Sequence, residues 1–110
     1  MGNAGWSWND VLPYFVSLEN NERGASEWHG DAGPQAVSDI GQVNPLAEAF
    51  IEACTEAGYS RNLDFNGASQ DGAGYYQLIT RRGFRCSSAN AYLKPVRHRS
   101  NIAVVTTPER

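Results

Sequence analysis

The chain has 110 residues, 41% apolar and 19% charged, with three Trp, five Tyr and four Phe. That is room for one modest core, and the aromatic content excludes a disordered polar chain. The net charge of −3 conceals an asymmetry. Residues 1–71 carry eleven acids against Arg23 and Arg61, whereas residues 72–108 carry six cations and no acid.

That basic second part admits an anionic partner, or attraction between the two parts within one fold, and the second reading is favoured. The cations are not interleaved with stacking aromatics, so nucleic acid is not expected as a partner. No stretch approaches the ~20 apolar residues of a membrane span. The first residues have neither a basic start nor an apolar signal core, so a cytoplasmic location is expected. Cys54 and Cys86 form no scaffold of disulfides, and His29 and His98 stand far apart with no metal-ligand spacing. No metal site is expected.

In chain order, the first predicted element is a helix over about 8–20, with the apolar stripe Val11, Leu12, Tyr14, Phe15 and Leu18. Ser7 and Asp10 form a weak capping box. Pro13 favours a start nearer Asn9 or Asp10, which would leave its ring in the first turn. Residues 21–34 read as a polar loop that Trp28 pins to the body. Gln35–Ile40 is a short strand candidate.

The helix over 45–57 is the clearest element, with Asn44 as cap, Pro45 at its first position and Gly58 as terminator. Leu46, Phe50, Ile51, Cys54 and Ala57 form its inward stripe. Glu48, Glu52 and Glu56 repel one another at four-residue spacing and read as a solvated face. Leu63–Gly74 is turn-rich around Asn66-Gly67. Tyr75–Thr80 reads as a strand, residues 88–94 as a short helix that Pro95 stops, and Ile102–Thr107 as a last β-branched strand. The fold class expected is α+β, with three helices on a small, mainly antiparallel sheet.

No catalytic constellation is legible. Neither histidine has a carboxylate at convincing local spacing, and Ser87-Ser88 lacks a nucleophile elbow. There is no phosphate loop, and Gly72-Ala73-Gly74 runs into Tyr75-Tyr76 where a dinucleotide motif would open a helix.

A resemblance adds what spacing does not show. The run Gly5-Trp6-Ser7-Trp8-Asn9-Asp10-Val11-Leu12-Pro13-Tyr14-Phe15, with Glu19-Asn20, resembles a segment of glucose–methanol–choline (GMC) flavin oxidoreductases. His29-Gly30-Asp31-Ala32-Gly33-Pro34 with Val37, Asn44-Pro45-Leu46, Ala49-Phe50, Ala57-Gly58-Tyr59 and Asp64-Phe65-Asn66-Gly67 follow in family order. Gln77, Gly83, Arg85, Ser87, Ala89, Ala91-Tyr92-Leu93, Pro95 and Asn101 complete it, and the choline-dehydrogenase-like branch fits best.

The resemblance implies a parent enzyme that uses FAD to oxidise an alcohol to an aldehyde or ketone. It implies that residues 1–110 are a partial substrate-binding or cap region, with 1–22 the helix leading into it and 23–110 the substrate-domain segment. On that basis no catalytic and no cofactor-binding residue is expected in this chain. Tyr75, Tyr76 and Gln77 are candidates for the substrate cavity. The chain alone is expected to be inactive and to bind no FAD tightly. Its expected partners are the flavin domain of the same polypeptide, a small alcohol in the parent, and a second copy through an exposed terminus. The alternative is a free-standing anion-binding or interaction module without catalysis.

Overall fold

A computed structural model describes residues 2–106. The helix α1 spans Trp8–Leu18. The Ser7 amide and hydroxyl both donate to the Asp10 carboxylate, at 3.0 and 2.6 Å, which fixes the first turn. The helix thus starts before Asn9, and Pro13 lies inside it rather than in its first turn. At Glu19 the backbone becomes extended, and the chain enters β1 (Glu19–Asn21) without a connecting loop.

β1 pairs in parallel with β2 (Gln35–Val37), with Asn20 opposite Ala36. Residues 22–34 fold back over this pair, and their glycines permit it by close approach. A Cβ on Gly30 would strike the Val16 carbonyl, and one on Gly33 the Leu18 carbonyl. The loop therefore lies directly on the C-terminal end of α1, where helix carbonyls lack helical partners. Trp28 packs against Trp8, ring centroids 6.1 Å apart, so it does pin the loop to α1.

α2 covers Pro45–Glu56, as the caps dictate. The Asn44 side chain accepts from the Leu46 amide at 2.9 Å, and Gly58 at φ +97° takes the left-handed position after the helix. Only Ile51 of its inward stripe is buried; Leu46 is 79% exposed.

The remaining regular elements are short. β3 (Thr80–Arg81) and β4 (Phe84–Arg85) form an antiparallel ribbon. A π-helical turn over Ala89–Leu93 passes into α3 (Lys94–Val96). Pro95 sits inside this second piece and does not end the helix, because the first turn of α3 needs no amide donor there.

The α+β class and the three helical regions stand. The single sheet expected over 35–40, 75–80 and 102–107 gives way to two two-stranded ribbons. The first two predicted strands do meet, through paired backbone bonds between Ser38 and Leu78 of 2.8 and 2.9 Å. Residues 102–106 form no strand, since nothing among the described residues offers them a ladder, and Thr107 lies outside the described residues.

The core consists of small side chains. Ala36, Cys86 and Ala91 form one buried cluster and Ile51 lies apart from it. Among the described residues no side chain is completely buried. Cys54, expected to be the buried thiol, is half-buried, and Cys86 is the covered one. The Cα radius of gyration is 18.4 Å, against about 13 Å for a compact domain of this length.

Candidate functional site

β1 and its flanking loops assemble a buried polar site. Asn21 and His29 are 3% and 7% exposed, the least accessible polar residues described. The backbone places them. The Asn21 amide donates to the Gly30 carbonyl at 2.8 Å, and the Ser26 hydroxyl accepts the His29 amide at 3.1 Å.

The His29 ring lies between two carboxylates, with Nδ1 2.7 Å from Glu19 Oε2 and Nε2 2.9 Å from Asp64 Oδ2. Burial pulls the imidazole's pKa down, but the hydrogen bonds and charges of Glu19 and Asp64 outweigh it and hold the group above its ordinary value. In the sequence His29 has no carboxylate at convincing local spacing. In the fold it has two, ten residues upstream and thirty-five downstream, brought in by tertiary structure.

The network continues through amides. Asn21 Nδ2 donates to Glu19 Oε1 at 3.1 Å and to Gln77 Oε1 at 2.8 Å, while Gln77 Nε2 returns a bond to Asn21 Oδ1 at 3.1 Å. Gln77 Nε2 also donates to Asp39 Oδ1 at 3.0 Å. Asp39 in turn holds Arg23, whose guanidinium reaches the Leu63 carbonyl at 2.6 Å. The Arg23 and Gln77 bonds keep the Asp39 carboxyl below its usual range.

Beside this network opens a cleft of about 760 Å³. Trp8, Leu12 and Phe15 of α1 face it, with Trp28, Phe65 and Tyr92 completing an aromatic wall; Glu19, His29, Gln35, Asn66 and Gln70 supply its polar part. Its lining does not include Tyr75, Tyr76 or Gln77. The Tyr75 hydroxyl donates to Glu48 at 3.0 Å, Gln77 belongs to the amide network, and Tyr76 stacks on Phe65 with centroids 4.5 Å apart. Glu48 is accordingly no mere solvated charge, because it also binds Arg61 at 2.6 Å.

The basic second part does not pair with the acidic first part. Among the described residues every ion pair lies between residues 19 and 64. Arg81 donates to the Pro34 carbonyl, and Arg85 reaches neither an acid nor Ser87.

No nucleotide cradle is visible among the described residues. The nearest Gly-x-Gly, Gly72-Ala73-Gly74, is closed by its own chain: side chains there would meet the Ser60 and Asn62 carbonyls. It has no room for a pyrophosphate, and these residues do not fit a dinucleotide site. Nor do the described residues contain a group of three or more potential metal ligands, or a helix long and apolar enough to cross a membrane.

The family model for GMC oxidoreductases matches residues 1–109. The chain belongs to the GMC oxidoreductase family. This GMC chain is 44% identical over 105 residues to an oxygen-dependent choline dehydrogenase of Rhizobium etli, covering 96% of itself and 19% of that relative. It is 43% identical over 106 residues to an alcohol dehydrogenase [acceptor] of Pseudomonas putida, again 96% and 19%. Its fold is similar to part of the crystal structure of pyridoxine 4-oxidase from Mesorbium loti, with TM-score 0.84, 35% identity, and coverage of 92% of this chain and 20% of that one. The chain thus spans about a fifth of the length of the relatives it matches. The site's members Glu19, His29 and Asp64, with Gln77, all fall within the runs that carry the resemblance. That coincidence was the one sequence signal pointing to them.

Proposed function

We propose that this chain is a segment of an FAD-dependent alcohol oxidoreductase that passes hydride from a CH–OH carbon to the flavin, with a choline-like or other primary alcohol as substrate. The observation that carries this reading is a family match over 1–109 shared with alcohol-oxidising relatives. The thin core and the unpaired basic part support the segment reading, because both call for surfaces supplied by other residues of the parent. FAD is held by those other residues, in keeping with the closed Gly72–Gly74 turn.

Within the parent, residues 1–22 lead into the substrate domain and residues 23–110 begin it. The aromatic cleft borders the substrate cavity. Of the cavity candidates, Tyr76 stacks behind Phe65 of its wall and Gln77 reaches the lining Glu19 by way of Asn21, while Tyr75 bonds Glu48 away from it. The segment shapes and shields the reaction space while the cofactor supplies the redox chemistry.

The test is to express the chain with its flanking coding sequence and alone. The longer polypeptide should be yellow and should reduce a dye on addition of a primary alcohol; the 110-residue chain should be colourless and inactive. A longer polypeptide that carries no flavin and oxidises no alcohol overturns the reading.

A further inference from the structure

We propose that His29 is a proton-operated latch that holds the Asp64–Gln70 turn, one wall of the cleft, against β1. The geometry demands a doubly protonated ring. Each nitrogen faces a carboxylate oxygen within 2.9 Å, and a neutral imidazole has one N–H to offer. Losing either proton sets a lone pair against a carboxylate in a buried place.

Asn21 Nδ2 stands 3.4 Å from His29 Nδ1, but its two hydrogens already serve Glu19 and Gln77. The charges acting on the ring are Glu19 from β1 and Asp64 from the turn. Arg23, which feels the Asp64 charge, is occupied by Asp39 and the Leu63 carbonyl.

The two contacts differ in strength of support. The Glu19 carboxylate is 16% exposed, bound by Asn21, and mounted on a strand paired along its length with β2. The Asp64 carboxylate is 36% exposed and sits in a turn of local bonds, its Oδ1 accepting the Asn66 amide at 3.0 Å. On deprotonation Asp64 lets go. Phe65, Asn66, Gly67, Ala68 and Gln70 line the cleft, so release of this turn opens it. The sign follows from the raised value. The latch is shut at and below the ordinary histidine range near 6.5 and opens as pH climbs through the higher folded-state value.

Two measurements on the 110-residue chain test this. Nitrogen NMR of the imidazoles should show both His29 nitrogens protonated near neutral pH, with His29→Gln identifying the signal against His98. Amide exchange over residues 65–70, corrected for intrinsic rates, should lose about tenfold protection as His29 deprotonates. Asp64→Asn should remove that step and leave the turn open throughout, while His98→Gln should keep the step. A singly protonated His29 near neutral pH, or a step that survives His29→Gln, overturns the latch.

Discussion

Residues 19–39 with 60–77 and residues 84–106 treat their polar groups in opposite ways. In the first region Glu19, Asn21, His29, Asp39, Asp64 and Gln77 have partners from distant segments, and two of the best-covered residues described, Asn21 and His29, are polar. In the second, Lys94, Arg97 and Arg99 have no acidic partner among the described residues, and Phe84 and Val105 stand 79% and 76% exposed. The first region is specified by its own residues. The second leaves its cations unpaired and several large apolar side chains open.

The comparison breaks most readily at His29. His29→Ala leaves Glu19 and Asp64 without their shared cation and should cost about 3 kcal/mol in urea unfolding. A loss below about 1 kcal/mol would mean that the first region is not held by its polar site. Gly30→Ala comes next, at about 2 kcal/mol, because its Cβ meets the Val16 carbonyl rather than a side chain that can turn aside. Gly67→Ala tests the same region more finely. The new Cβ would stand 2.6 Å from Asp64 Oδ2, the oxygen that binds His29, so the alkaline loss of stability should begin at lower pH. An unchanged pH profile there would separate Asp64 from the histidine's titration.

The smallest effects sharpen the other side. Arg97→Gln and Arg99→Gln should leave stability within about 0.5 kcal/mol, as for surface positions without partners. Phe15→Asp on the open face of α1 should lower light scattering at high concentration without weakening the fold. If scattering is already that of a monomer at every concentration, the exposed face does not self-associate.

What the sequence made legible were features fixed locally. Asn44, Pro45 and Gly58 delimit α2 to within a residue or two, and Asn62, Asp64 and Asn66-Gly67 build their turn from their own side chains. Pro13 misled, because the Ser7–Asp10 box was strong enough to start α1 early and carry the ring inside. The β-branched run at 102–106 misled differently: strand-forming residues make no strand without a neighbour. The polar site was not legible from spacing, since Glu19, His29 and Asp64 meet only after the loop has folded onto α1. The resemblance marked the right runs without saying which side chains in them touch.

The junction at Leu18 and Glu19 joins the open helix to the polar site. With no residue between helix and strand, the Glu19 carboxylate stands at the bend itself. The helix side bears the open Tyr14 and Phe15, and the strand side carries Asn21. The point where the helix gives way to the strand is thus the same residue that grips His29.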